Sequence, residues 1–278
     1  MENPMFNFRV DEGRCTQCGE CAADCPAGVI SMDPTPKFNE EGGCFRCQHC
    51  LAVCPTGAVS ILGKDPADSQ ALAGTFTFPS ASQLTTLIKG RRSVRRYREQ
   101  DVSAALIDEI LNTACHAPTG VNAQGVLFTV VKERQVMQAL RLEVMEELGR
   151  LKESGGLPEG FVGQYMGWAV KVWLEEGKDI IFRGAPHLLI VSAPTASPCA
   201  AQDSIIALTT FQLLAQAHGI GTVWDGLFMM ALSLCPELAK RLGIPDQHLP
   251  GYAMAFGWPV VEYHRTVQRG PALVNVVR

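Results

Sequence analysis

Two runs of cysteine decide how the N-terminal third of this chain folds: CTQCGECAADCP, Cys15 to Pro26, and CFRCQHCLAVCP, Cys44 to Pro55. Each reads C-x2-C-x2-C-x3-C-P, and the second repeats the first 29 residues later. The likeness extends outward: DEGRC (Asp11 to Cys15) matches EEGGC (Glu40 to Cys44), and PAGVIS (Pro26 to Ser31) matches PTGAVS (Pro55 to Ser60). Such a repeat is one small unit used twice. Three thiolates spaced in this way wrap a loop around three corners of an iron–sulfur cube, and the cysteine before the proline ligates the other cluster of a two-cluster module. The spacing therefore assigns Cys15, Cys18, Cys21 and Cys54 to one 4Fe–4S cluster, and Cys44, Cys47, Cys50 and Cys25 to a second. The rival is a pair of zinc sites, but separated C-x2-C pairs explain neither the third close cysteine nor the prolines. So many ligands in so short a stretch make the clusters a major source of the module's folding energy.

The remaining composition sets bounds. At 278 residues the chain accommodates one large domain or two smaller ones. A net charge of -4 argues against a general nucleic-acid binder. No apolar run reaches the length of a membrane span, and the N-terminus lacks the pattern of a secretory signal. Abundant cysteine without such a signal points to a reducing, cytoplasmic setting. Cys115, Cys199 and Cys235 share no spacing and read as small buried hydrophobes. The scattered histidines show no metal spacing.

Beyond Asp65 the stretch PADSQALAGTFTFPSAS reads as a linker, giving a domain over 1–64, a linker over 65–81 and a second domain over 82–278. Helical periodicity begins near Ser82, a plausible cap, with Leu84, Leu87 and Ile88 on one face. RRSVRRYREQ follows, with five arginines between Arg91 and Arg98. A helix then starts near Asp101 or Ser103 and stops before the loop APTGVNAQ (Ala117 to Gln124). Strands are expected at GVLFTVVK, HLLIVSA and GYAMAFGWP, and helices at Arg134 to Leu151 and Asp203 to His218. Phe161, Tyr165, Trp168 and Val172 recur at helical spacing, which core packing explains most simply; a lid over a pocket is the sharper alternative. No G-x-G-x-x-G lies between a strand and a helix, so a separate dinucleotide-binding domain is not expected.

Residues 5 to 64 resemble the bacterial-type two-cluster ferredoxins, which implies two βαβ-like halves carrying electrons singly. From Ser80 onward four stretches resemble the nitroreductase family of FMN enzymes, in order: RRSVRRY, APTGVNAQ, IGTVWDG (Ile220 to Gly226) and GWPVVEYHR (Gly257 to Arg265). The combined resemblance implies an α+β chain: a ferredoxin-like βαβ repeat module, then a central, mostly antiparallel sheet wrapped by helices. It also implies that Arg91 and Ser93, with Arg92 nearby, hold the FMN phosphate and ribityl chain. Arg95 would lie at the pyrimidine edge, where a fixed positive charge favours the reduced ring. Pro118, Thr119, Asn122 and Gln124 would contact the flavin from the partner of a homodimer. Asp225 and Gly226 would pack beside the ring, and Arg265 would complete the phosphate clamp. Thr119 stands where Ser is usual in the family, Asp225 where Glu is frequent, and His264 precedes Arg265 where a paired lysine is missing.

A carrier of single electrons fused to a flavin domain implies intramolecular electron transfer. The expected function is an oxidoreductase in which reduced ferredoxin or a similar low-potential donor feeds the clusters. FMN then passes electrons to a nitroaromatic, quinone or activated alkene. Two alternatives stand beside it: NAD(P)H reduces the flavin directly while the clusters carry electrons outward or tune it, or the chain is a redox subunit without its own substrate. No acid–base side chain is assigned from sequence.

Overall fold

In the computed structural model of the protein, residues 6–72 and 78–277 are described. Residues 73–77 of the expected linker, together with 1–5 and 278, lie outside them. The chain divides into two compact units: residues 1–79 with Val121–Ala123, and Ser80–Gly120 with Gln124–Arg278.

The first unit follows the repeat element by element. Strand β1 (Arg9–Val10), helix α1 (Glu20–Ala23) and strand β2 (Ile30–Asp33) form one half; β3 (Thr35–Phe38), α2 (His49–Val53) and β4 (Val59–Ser60) form the other. The strands pair across the halves, both antiparallel: Val10 faces Val59, and Ile30 faces Phe38. Phe6, Val29, Ile30, Leu51, Val59 and Ile61 are buried between the ribbons, and Phe38 packs on both Phe6 and Phe8. The two cysteine loops also repeat in backbone torsion. Gln17 and Arg46 both have φ of 56°, and the residues two further on, Gly19 and Gln48, have φ of 80° and 59°. A loop that turns its thiols inward around one centre requires left-handed residues, and Gln48 adopts that conformation where the first half uses glycine.

The second unit is built on a four-stranded antiparallel sheet in the order β5 (Leu127–Val131), β6 (His187–Pro194), β8 (His248–Gly257), β7 (Gly221–Trp224). Helices cover both faces, so β6 reads as an unbroken apolar run rather than an alternating one. Its Leu188 and Ile190 pack towards α5 (Arg134–Glu153), α6 (Phe161–Glu176) and α8 (Gly226–Leu234). Leu189 and Val191 pack towards α4 (Ala104–Ala114) and α7 (Ala200–Ala217). These four side chains are fully buried, each stabilising the fold by about 1.5–3 kcal/mol. The short helix α9 (Glu237–Arg241) lies between α8 and β8 in sequence. No helix among the described residues is long and apolar enough to cross a membrane.

Several local expectations are corrected. The first helix of the second unit, α3 (Ala81–Gly90), is capped by Ser80, not Ser82: the Ser80 hydroxyl accepts the Gln83 N–H, and the Gln83 side chain accepts the Ser80 N–H. This reciprocal pair satisfies two otherwise free donors, where Ser82 satisfies none. Ser103 caps α4. Cys115 is exposed and Cys199 half-buried; only Cys235 of the three lone cysteines is buried. The stripe expected on α6 is only partly core: Val172 is buried and Tyr165 packs against the core, but the other two members are exposed. Phe161 is 66% exposed and Trp168 47%, while Met166, Ala169 and Val170 take the buried face.

Candidate functional site

In the first unit the eight motif cysteines sort into two cavities. One, of about 290 Å³, is lined by Cys15, Cys18, Cys21 and Cys54; the other, of about 310 Å³, by Cys25, Cys44, Cys47 and Cys50. Each cavity thus takes three thiols from one run and the last thiol of the other. Among the described residues no three Cys, His, Asp or Glu side chains converge as ligands of one metal ion require. Four cysteines lining one cavity, three from one run and one from the other, match the ligand pattern of a polynuclear iron–sulfur group.

Backbone amides already point at some of these sulfurs. Ala58 N–H donates to Cys54 Sγ at 3.2 Å, and Arg46 N–H to Cys44 Sγ at 3.4 Å. Burial opposes ionisation of Cys54, but the Ala58 and Thr56 amides and the Thr56 hydroxyl outweigh it and lower its pKa. Burial pushes Cys50 up to about 11, against a smaller opposing pull from the Leu51 amide. A thiolate at Cys50 therefore needs a neighbouring positive charge, which ligated iron would supply.

In the second unit three of the four flavin-type stretches come together at the β7 end of the sheet. Val94 N–H donates to the Thr222 carbonyl at 2.9 Å, and Ser93 bridges Thr222 in parallel. Arg98 N–H donates to the Trp258 carbonyl at 2.8 Å, and Val260 N–H to the Arg96 carbonyl at 3.1 Å. The Tyr97 hydroxyl donates to the Val94 carbonyl at 2.8 Å. RRSVRRY is thereby stitched along β7 and onto the turn after β8. The approach is close: a Cβ on Gly221 would stand 2.7 Å from the Val94 side chain, so only glycine fits. Two of the arginines that had no assigned role acquire structural ones, since Arg96 and Arg98 fasten this edge through their backbones, and Arg98 Nε also donates to the Pro259 carbonyl at 3.0 Å.

The cations are crowded. Arg91 is half-buried at the end of α3, and its pKa is lowered first by burial, then by Arg92 and Arg269. Uncompensated like charges of this kind suit a phosphate. Arg269 is the tail residue whose charge reaches Arg91; Arg265, named from sequence, is exposed. Sequence spacing carries no signal for Arg269, because the tail has no regular structure to set a period.

A cavity of about 660 Å³ opens beside this edge. Arg95, Trp224, Asp225 and Gly226 line it, together with Phe161, Tyr165 and Arg183. Asp225 caps α8, its Oδ1 accepting the Phe228 N–H at 2.9 Å. It is 3% exposed, and its Oδ2 has no partner among the described residues. Burial pushes its pKa up to about 7, against the Phe228 amide, which lowers it. β7 is held in register by Gln212, whose amide donates to Thr222 Oγ1 and accepts from Trp224 Nε1, both at 3.2 Å.

The APTGVNAQ loop is divided. Gly120 N–H donates to Asp203 Oδ1 at 2.9 Å, and Gln124 N–H to Thr119 Oγ1 at 3.0 Å. Val121–Ala123 group with the first unit, where Asn122 Nδ2 donates to the Phe45 carbonyl at 2.8 Å. Val121, Asn122 and Gln124 all have positive φ, between 48° and 54°. Neither Pro118 nor Thr119 lines the 660 Å³ cavity. Sequence reading missed Arg183 and Asp179, which sit in a stretch without a recognisable motif.

Comparison with known proteins follows the same division. Residues 88–258 match the Nitroreductase family, and residues 14–59 match a 4Fe-4S dicluster domain. An NADH dehydrogenase of Thermus thermophilus is 40% identical over 206 residues, covering 67% of this chain and 91% of that protein. An iodotyrosine deiodinase of Thermotoga neapolitana is 27% identical over 180 residues, covering 61% and 92%. A crystal structure of a nitroreductase with bound FMN from Desulfitobacterium hafniense superposes with a TM-score of 0.55 at 25% identity, covering 70% of this chain and 98% of that one. With its family match spanning most of the second unit, the chain belongs to the nitroreductase family of oxidoreductases and carries a 4Fe–4S domain ahead of it.

Proposed function

We propose that this chain is an FMN- and 4Fe–4S-dependent oxidoreductase in which electrons entering at two clusters reach a small organic acceptor by way of FMN. The acceptor class is a nitroaromatic, a quinone or an activated alkene. The observation that carries the reading is the crosswise cysteine lining of two cavities in a chain whose larger part belongs to the nitroreductase family. In this reading Cys15, Cys18, Cys21 and Cys54 hold one cluster, and Cys44, Cys47, Cys50 and Cys25 the other.

Arg91, Arg92 and Ser93 hold the FMN phosphate and ribityl chain, with Arg265 and Arg269 closing over them from the tail. FMN, when bound, supplies the junction between single-electron carriers and two-electron chemistry. Arg95 offers a fixed positive charge to the reduced ring. Asp225 and Gly226 border the ring, and Asp225 Oδ2 holds a proton in a buried position close to neutrality. Pro118, Thr119, Asn122 and Gln124 reach the flavin of a partner protomer. An exposed apolar strip supports a homodimer: Leu84 and Ile88 on α3 and Ile205 and Ile206 on α7 are 38% to 52% exposed, and α3 packs on α7. Thiolate ligands of this kind belong in a reducing compartment such as the cytoplasm.

Anaerobic stopped-flow tests the route. With the clusters reduced first by a low-potential donor, FMN absorbance is expected to bleach within one turnover as the cluster absorbance returns. Persistence of oxidised FMN beside reduced clusters would sink the reading. Iron, sulfide and flavin counts are expected to give about eight irons and one FMN per chain. A second reading takes its support from the 40% identical NADH dehydrogenase relative: NADH reduces the flavin directly. Bleaching of FMN by NADH in a Cys25→Ser/Cys54→Ser chain, at the unmodified rate, would favour that donor.

A further inference from the structure

The 660 Å³ cavity holds a cation that the flavin reading leaves unused. Arg183 lines it half-buried, and its guanidinium makes no hydrogen bond or ion pair among the described residues. Its backbone is held in the left-handed region, at φ 59°, a conformation that costs a non-glycine residue energy and needs outside support. Asp179 provides the support. Its Oδ1 accepts the Phe182 N–H at 2.8 Å, and its Oδ2 accepts the Gly184 N–H at 2.9 Å. The same Oδ2 accepts Arg141 Nε at 2.7 Å, in an ion pair whose side chains are 17% and 7% exposed. The amides on either side of Arg183 are therefore clamped to one nearly buried carboxylate, which fixes the backbone from which the Arg183 side chain lines the cavity.

The same cavity has aromatic lining. Phe161 and Tyr165 line the same cavity, with ring centroids 5.5 Å apart, and the Phe161 ring is 66% exposed. A planar cation sharing a cavity with the exposed Phe161 ring and the half-buried Tyr165 suits a flat ring carrying a planar anion. Asp225, the acid in the same cavity, does not pair with Arg183 within 4 Å; burial favours its neutral form, while the Arg183 charge acts more weakly in the opposite direction.

We propose that Arg183 selects the acceptor, which is an aromatic ring bearing a carboxylate, stacked against Phe161 and Tyr165 with its carboxylate on the guanidinium. The inference rests on the reading of this cavity as the acceptor site of a flavin enzyme. It is tested by binding to the oxidised, FMN-loaded full-length protein, which requires no electron donor. The probes are 4-nitrobenzoate and its neutral isostere 4-nitrobenzamide, followed by calorimetry and by perturbation of the flavin spectrum.

The unmodified protein is expected to prefer the anion, and Arg183→Gln to lose about tenfold or more in affinity for it. The amide is expected to lose far less, Arg183→Lys to restore part of the preference, and FMN affinity to survive in both variants. Equal losses for both probes, no loss for either, or loss of FMN itself would overturn the assignment of Arg183 to the acceptor. A protein that binds neither probe yet bleaches FMN from reduced clusters would overturn the acceptor class alone. Absence of FMN binding altogether would bring down the functional reading as well.

Discussion

Asp225 Oδ1 accepts the Phe228 N–H at 2.9 Å while the other oxygen of the same carboxyl, buried in the wall of the cavity, has no partner among the described residues. Burial raises the pKa of this group from 3.8 to about 7. The folded state thus holds its proton where the unfolded chain has lost it. Its contribution is complete below the unfolded value and is lost as pH rises through about 7, on the order of a few kcal/mol in total. Asp225→Asn is expected to flatten this slope between about pH 4 and 7, while keeping the acceptor for the Phe228 amide. Urea titrations of both proteins at several pH values check it; parallel curves would show that Asp225 is ionised in the folded chain.

Gly221 and Val94 touch so closely that one methyl group decides whether the arginine segment can lie along β7. Gly221→Ala is expected to destabilise the protein by about 1–3 kcal/mol, because Val94 is 3% exposed and has nowhere to move. FMN affinity should fall with it, since Ser93 and Arg95 flank the displaced residue. Chemical denaturation and flavin titration of the same preparation measure both effects.

Arg91→Ala removes one of the two half-buried members of the cation group. FMN is expected to bind about tenfold more weakly or worse, with iron content unchanged. Arg269→Ala should produce a smaller loss that shrinks further at high salt, because an exposed charge is screened. Flavin equilibrium dialysis at two ionic strengths separates the two. An unchanged affinity for Arg269→Ala at low salt would remove the tail from the clamp.

Cys25→Ser and Cys54→Ser test the crossing of the ligands. Cys25 shares its cavity with Cys44, Cys47 and Cys50, so its replacement is expected to perturb the cluster of the second run while leaving that of the first. Cys54→Ser should do the reverse. Electron paramagnetic resonance of the reduced variants distinguishes the clusters. A perturbation confined to the run that contains the mutated residue would contradict the crossing.

The two units differ in what a reader of the sequence can extract. The cysteines of the two runs stand at fixed separations in the linear order, and the grouping of Cys15, Cys18 and Cys21 with Cys54 that this spacing implies matches the lining of one cavity. Strand β6 is equally legible, since a sheet covered on both faces needs an uninterrupted apolar run. The aromatic face of α6 misleads. Helical spacing places Phe161, Tyr165 and Trp168 on one side, but cannot tell that Tyr165 packs on the core while Phe161 and Trp168 stay exposed. The small residues Gly163 and Ala169 mark the buried side instead. Asp179 and Arg183 were beyond reach of pattern because their relationship is made by a loop whose shape depends on Arg141, a helix away in sequence. Arg269 lies in a segment with no period at all.

The strand exchange in the first unit limits how this protein could have been assembled or can be taken apart. Arg9 is paired with Ser60, and Ile30 with Phe38, so each ribbon contains one strand from each copy of the repeat. Neither copy owns a complete ribbon, and a chain cut between Asp33 and Thr35 would leave two fragments with unpaired edges rather than two half-sized carriers. Duplication therefore cannot have joined two finished monomers without rearrangement; a single ancestral copy would have had to associate with a second copy of itself, exchanging strands between chains. The ribbon joining β1 to β4 must close across nearly the whole module, a long-range contact that forms slowly. Gain and loss of the module's order should then occur as one event, with no stable intermediate holding only one of its halves.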